Sequence, residues 1–320
     1  MTQSAINHLI NHCGNLKKNE KSLILHDNKT KKIAKFFYNQ IMKKTKNNKI
    51  INVGKLKFHG GQIKKEIEKE MCKSNLIFCL TKYSLAHSNA RIMASKKGAR
   101  FLSLPDYSTS FIKNKSIIVD YKRISKRMRK YHNILTRGNK IKILSKFGTN
   151  IDILIKGRKA NFCPGFVKKR GDLGSPPDIE TNISPVEFCS NGEVIVNGSI
   201  THPKIKLLKN PVNLKIEKGR ILKIKTKNVK VKKILYRLFG KKNSKKRILA
   251  ECGIGFNPKA KLSGHMLTDE GSQGCIHLGF GSNYTVGGNN KVDFHIDLIL
   301  KNTTLLVDRE HVIREGKLFL

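Results

Sequence analysis

The sequence predicts an α/β protein in two parts. An N-terminal domain with an open, mainly parallel α/β sheet is expected over residues 1–140, and a C-terminal α+β domain rich in antiparallel strands over residues 141–320. Three observations carry this. Short apolar runs alternate with helix-period stretches as far as Leu104. Beyond Lys140, short strands follow one another through Asn-Gly and Lys-Gly turns. Acids, scarce elsewhere, gather in two segments of the second part.

The elements follow in order. Residues 22–26 read as a buried strand, and Ile33, Phe36, Phe37, Ile41 and Met42 fall at helical spacing within 30–45. A strand at 49–53, a helix at 63–71, a strand at 75–80, a helix at 87–97 and a strand at 100–104 complete the alternation, which argues for a parallel sheet covered on both faces. No GxGxxG turn occurs here, so no dinucleotide is expected. Residues 120–136 form a basic amphipathic helix with Ile124, Met128, His132 and Leu135 on one face, expected to be a solvated charged surface over a packed stripe. Short strands follow at 141–145, 152–155, 194–196, 205–208, 214–216 and 221–224, then a helix at 229–239. The boundary between the parts is expected near residues 138–150.

Composition limits the function classes. A chain of 320 residues at 38% hydrophobic content can build real cores. No apolar run approaches the roughly 18 residues of a membrane span, and no basic segment leads into an apolar one at the N-terminus, so neither membrane insertion nor a secretory leader is expected. The 7 cysteines form no CxxC pair, which fits reduced thiols in a cytoplasm. Net charge is +43, from 65 basic and 22 acidic residues. Lysine outnumbers arginine 52 to 13 and travels with asparagine and isoleucine, the drift that AT-rich codons supply. Arginine is the better reader of phosphate and base edges, so salt-sensitive adsorption to polyanions is expected, and no specific nucleic-acid partner. The charge would also fit a polyanion-binding protein that keeps an inactive enzyme fold, but the carboxylate clusters argue against it.

The acids are more informative. Asp172, Asp178, Glu180, Glu187 and Glu193 lie between Gly171 and His202 without a single lysine or arginine, and Glu251, Asp269, Glu270, Asp293 and Asp297 lie between Ile248 and Leu300. Within the second segment, His295-Ile296-Asp297 sits in an apolar strand-like run. Side chains two apart on a strand share a face, so this imidazole and carboxylate can grip one ion. Asp269-Glu270, Cys275-Ile276-His277 and Tyr284 lie upstream, and Glu251 opens Glu-Cys-Gly-Ile-Gly. Glu187, Glu251, Glu270 and Asp297 carry four negative charges, which two divalent ions would balance. His277, His295 and Asp297 alone make two histidines and one carboxylate, the facial triad of non-haem Fe(II) oxygenases.

Several blocks carry a family resemblance. Residues 250–258, Thr268-Asp269-Glu270, residues 275–281 and His295-Ile296-Asp297 resemble the metal-binding segments of the aminopeptidase T (leucyl aminopeptidase) family, and residues 182–188 resemble its Asn-Leu-Pro-x-Gly-Glu-Val block. Residues 83–91 with Gly98-Ala99-Arg100 resemble its shorter branch, which also resembles 2,5-dihydroxypyridine dioxygenases. The resemblance implies a homodimeric, cytoplasmic metallo-aminopeptidase that hydrolyses N-terminal residues of peptides with two divalent ions (Zn, Co or Mn). Its implied ligands are Glu187, Glu251, Glu270, His277, His295 and Asp297, with Glu251 and Tyr284 in catalytic roles. The dioxygenase alternative implies one Fe(II) on His277, His295 and Asp297. This chain departs from the peptidase pattern in the longer interval from Glu270 to His277 and in lacking a glycine before Glu187.

Overall fold

The computed structural model describes residues 2–320. The chain forms two compact units, one of residues up to 121 together with 163–177, the other of 122–162 and 178–320. The single boundary expected near residues 138–150 is thus replaced by crossings after Tyr121, Phe162 and Pro177. The reasons are local. Segment 163–177 supplies the strand Leu173–Gly174 that extends the first sheet, and the helix Tyr121–Arg137 packs Tyr131 edge-on against Phe256 of the second unit. Among the described residues no helix is long and apolar enough to cross a membrane.

The first unit holds a parallel five-stranded sheet in the order Asn48–Asn52, Ser22–His26, Leu76–Leu80, Arg100–Ser103, Leu173–Gly174. Its three central strands are buried throughout, as expected where both faces are covered. Strand parity divides the labour. Leu23, Leu25, Ile77, Cys79 and Phe101 pack with Ile67, Met71, Ala90 and Ala94 from helices Lys65–Cys72 and Asn89–Lys96. Phe78, of opposite parity, meets Phe37 of helix Lys31–Met42 with ring centroids 5.8 Å apart. This is the alternating α/β pattern read from the sequence.

The second unit is built on two sheets. An eight-stranded sheet runs Arg220–Lys225, Val212–Glu217, Asn191–Val196, Asn150–Leu154, Lys140–Leu144, Thr304–Val307, Glu310–Arg314, Lys317–Leu318. A seven-stranded sheet runs Lys206–Leu207, Ser199–Ile200, His295–Leu300, Ile276–Gly281, Leu249–Gly255, Glu180–Ile183, Asn161–Cys163. The strand expected at 205–208 shrinks to Lys206–Leu207. In the helix Tyr121–Arg137, Met128, Tyr131 and Leu135 are buried while Lys122, Arg123, Lys126, Arg127, Arg129 and Lys130 are exposed, the solvated face expected of it.

A candidate metal centre on three antiparallel strands

The site stands on the middle of the seven-stranded sheet. Strand Ile276–Gly281 lies between Leu249–Gly255 and His295–Leu300, antiparallel to both. Glu251, Gly279 and Asp297 fall in one cross-strand row, and His277 pairs with Gly253 in the next. Two-residue spacing keeps Glu251 with Gly253, His277 with Gly279, and His295 with Asp297 on a common face. The strands are otherwise apolar and almost wholly buried, so the polar face is the exception that needs explaining.

The two glycines shape the space. A methyl on Gly253 would lie 2.0 Å from His277 Nε2, so the imidazole lies over that glycine. A methyl on Gly279 would lie 2.8 Å from His295 Nε2 and 2.9 Å from Asp297 Oδ1, against Glu251 Cβ at 2.8 Å. The missing side chain of Gly279 therefore leaves a cradle walled by Glu251, His295 and Asp297.

Glu251 is the hub. Its Oε2 lies 3.3 Å from His295 Nε2 and its Oε1 3.6 Å from His277 Nε2. His295 Nε2 is also 3.2 Å from Asp297 Oδ1, and His277 Nε2 is 3.1 Å from Glu180 Oε2. Two sets of three potential ligand atoms result, each within 4.8 Å: Glu180, Glu251 and His277, all buried, and Glu251, His295 and Asp297, in which the His295 side chain keeps 32% exposure. The His295 ring is oriented for ligation. Its Nδ1 lies 2.8 Å from the Ser282 carbonyl oxygen, which can only accept, so Nδ1 holds a proton and Nε2 faces the carboxylates. Glu180 is held by Asn182, whose Nδ2 donates to Oε1 at 2.7 Å, and Asn182 is held by Asn161.

The electrostatics match a cation site. Asp178, Glu180, Glu251, Glu270 and Asp297 bring five carboxyl groups near two imidazoles. Burial would raise the Glu251 pKa, but the two imidazoles hold it far below the ordinary carboxylate range; burial likewise opposes ionisation of Asp297, and His295 lowers its pKa on balance. Burial pushes Asp178 and Glu270 well up, with help from Glu180 and Asp297 respectively. Asp178 Oδ1 and Glu270 Oε1 are buried without hydrogen-bond partners, acceptor oxygens that a cation in the cluster would help to satisfy. Desolvation would lower both imidazoles, yet Glu180 and Glu251 raise His277, and Asp297 and Glu251 raise His295. The residues fit a divalent ion: an anionic, oxygen- and nitrogen-lined cradle whose charge protons balance in its absence.

A pH prediction follows. An ion can take His295 Nε2 only after its proton leaves, and the raised pKa keeps that proton on at neutral pH. Metal affinity should therefore rise with pH, by about tenfold per unit for each proton released, until the folded-state pKa is passed. Co(II) titrations at several pH values, with proton release measured in weak buffer, check this. A flat profile below neutrality would contradict it.

Not every expected ligand arrives. Glu251, His295 and Asp297 converge, His277 joins through Glu251, and Glu270 lies close enough to be raised by Asp297 and Glu180. The group around Asp297 is made of Glu251 and His295, one imidazole and two carboxylates; His277, the other histidine of the Fe(II) alternative, stands in the neighbouring row against Glu180 and Glu251, because register places Glu251 in the row of Asp297. Glu187 does not reach the cluster. Its carboxylate pairs with Arg158 and accepts from Asn283 and the Asn289 N–H. Tyr284 is 61% exposed, with Lys291 Nζ 5.2 Å from its ring centroid. Glu180 and Asp178 were not singled out as ligands. The only sequence signal for them was the acid-rich segment free of lysine.

Fold and site together define a two-unit enzyme fold carrying a candidate metal centre on an antiparallel sheet. The sequence profile of the NicX family, 2,5-dihydroxypyridine 5,6-dioxygenase, matches residues 30–320, and the chain belongs to this family. The fold is similar to that of 2,5-dihydroxypyridine dioxygenase from Pseudomonas putida KT2440, with a TM-score of 0.85 at 15% identity over 99% of this chain and 96% of that one. It is also similar to aminopeptidase T from Thermus thermophilus, with a TM-score of 0.75 at 12% identity over 100% and 99% of the two chains. Both resemblances read from the sequence are thus present in the fold. No curated protein sequence matches the chain.

Proposed function

We propose that the protein is an oxidoreductase of the ring-opening dioxygenase type, acting on a small hydroxylated aromatic ring such as a dihydroxypyridine, with one Fe(II) held by Glu251, His295 and Asp297. The observation that carries the reading is the cradle over Gly279, walled by those three residues. Family membership supports the reaction class. Bound there, Fe(II) supplies the one-electron chemistry that lets dioxygen react with a closed-shell ring.

The chain's own residues do the rest. Ser282 fixes the His295 tautomer, leaving Nε2 toward the cradle. His277, protonated between Glu180 and Glu251, anchors Glu251 through Oε1 and leaves Oε2 toward His295. Glu251 and Asp297 bring two negative charges to one divalent ion, so the ion's own charge is met by the carboxylates that would hold it. Partial exposure of His295 leaves the cradle open to reactants on that side.

A second reading has a specific observation behind it. Glu180, Glu251 and His277 form another three-ligand set that shares Glu251, and a shared carboxylate between two ions suits the hydrolytic, two-metal chemistry implied by the aminopeptidase resemblance. Glu180→Gln separates the two. We expect one tightly held iron per chain in both wild type and variant, with oxygen consumed on addition of 2,5-dihydroxypyridine and no hydrolysis of an unblocked dipeptide. Two ions in wild type falling to one in Glu180→Gln, with the dipeptide cleaved by wild type, would reverse the assignment.

A further inference from the structure

Glu187 is nearly buried and fully engaged, yet no ligand set contains it. Its Oε2 accepts from Arg158 Nη2, and its Oε1 accepts from Asn283 Nδ2 and from the Asn289 N–H, both at 2.7 Å. Arg158 Nη1 donates to the Gly287 carbonyl at 2.8 Å, and Asn161 Nδ2 to the Val286 carbonyl at 3.1 Å. Apart from the Arg158–Glu187 pair itself, these contacts reach one loop, residues 282–290. Inside it, the Asn290 N–H donates to Asn283 Oδ1 at 2.7 Å and Asn290 Nδ2 to the Gly281 carbonyl at 2.6 Å. A methyl on Gly288 would lie 2.0 Å from the Asn283 amide, so the loop closes tightly around that side chain. The residue next to Asn283 is Ser282, whose carbonyl receives the His295 Nδ1–H at 2.8 Å.

We propose that Arg158 and Glu187 form a clasp that holds loop 282–290 and, through the Ser282 carbonyl, sets the tautomer and aim of His295. Glu187 is then a positioning residue and not a metal ligand. The inference rests on reading Glu251, His295 and Asp297 as a metal site, but not on the reaction performed there. A carbonyl that can only accept selects the Nδ1–H tautomer as long as the loop keeps it in line. Once the clasp opens, the carbonyl can drift, the ring can turn, and Nε2 leaves the cradle for part of the time. Partners of this kind change metal affinity by about 10–100-fold. Arg158 can matter only by the indirect route, because a guanidinium does not ligate a cation.

The test uses Co(II) as the probe on the full chain. Affinity is measured for wild type, Glu187→Gln, Arg158→Met and the double variant. The exchangeable Nδ1–H resonance of His295 in the Co(II) protein is followed by NMR. Each single variant should bind Co(II) about 10–100-fold more weakly, and the Nδ1–H should exchange faster with water. The double variant should be little worse than the weaker single, because both break one clasp. Glu187→Asp keeps the charge but shortens the reach. It guards against loss of folding and should show the same faster exchange. If Arg158→Met binds Co(II) as well as wild type or better while Glu187→Gln binds poorly, Glu187 is a ligand and the clasp is wrong. Unchanged affinity and exchange in all variants would also overturn it. A wild type that binds Co(II) with the slow Nδ1–H, yet whose iron form consumes no oxygen with the dihydroxypyridine, would sink the dioxygenase reading and leave the clasp standing.

Discussion

Glu251→Gln should remove tight metal binding and lower turnover by about three orders of magnitude or more, equivalent to some 4 kcal/mol. The substitution preserves shape, so the loss comes from charge and hydrogen bonding. Glu251 is the one residue shared by both ligand sets, with one oxygen toward each imidazole. An amide removes a full negative charge from the cradle. It also turns an NH2 group toward either His277 or His295, placing donor against donor wherever that imidazole is protonated. An ion in the cradle loses an anionic ligand, and His277 loses half of what holds its proton. Both the one-ion and the two-ion readings require this loss, so the experiment tests the site and not the reaction. Metal per chain after dialysis, kcat/KM and the urea midpoint of the metal-free protein should be measured together. Metal content and activity within tenfold of wild type, in a folded variant, would remove Glu251 from the centre.

The contrast between Glu251 and Glu187 shows what the sequence could and could not reveal. The first sheet was legible because its buried strands and amphipathic helices alternate at their own periods, and Leu23, Ile77 and Phe101 keep the expected parity. His295-x-Asp297 was legible because two-residue spacing on a strand fixes a shared face without knowledge of the neighbours. Glu251 and His277 were expected in one site, but their places within it were not read. Which of them stands beside Asp297 is a matter of cross-strand register, which local pattern does not encode. Glu187 matches a ligand by its interval from Asn182, but Arg158, 29 residues earlier, takes its carboxylate in the folded chain. Glu180 shows the opposite case. It lies on a four-residue strand, and only pairing with Leu249–Gly255 carries it to His277. Interactions set by long-range pairing were the ones local pattern could not supply, both the Arg158 partner of Glu187 and the approach of Glu180 to His277.

Gly279→Ala should abolish metal binding while leaving the fold largely intact. Gly279 does not adopt a left-handed backbone conformation, so alanine is free to take its place in the strand. What the methyl meets is the site itself, with Glu251 Cβ and His295 Nε2 at 2.8 Å and Asp297 Oδ1 at 2.9 Å. It would occupy the cradle, push the three ligands apart and leave no room for an ion. Overpacking of this kind costs about 1–3 kcal/mol of stability, whereas metal affinity should fall by more than about 100-fold, beyond what loss of an orienting partner achieves. Gly253→Ala is the matched control. Its methyl would strike His277 Nε2 at 2.0 Å and displace that ring, damaging the set built from Glu180, Glu251 and His277. With a single ion over Gly279, Gly253→Ala should weaken binding much less than Gly279→Ala and keep one metal per chain. Equal losses in the two variants, or a Gly279→Ala protein that still holds its metal, would show that the ion does not sit over Gly279. Elemental analysis and Co(II) titration of both variants, beside their urea midpoints, separate metal loss from unfolding.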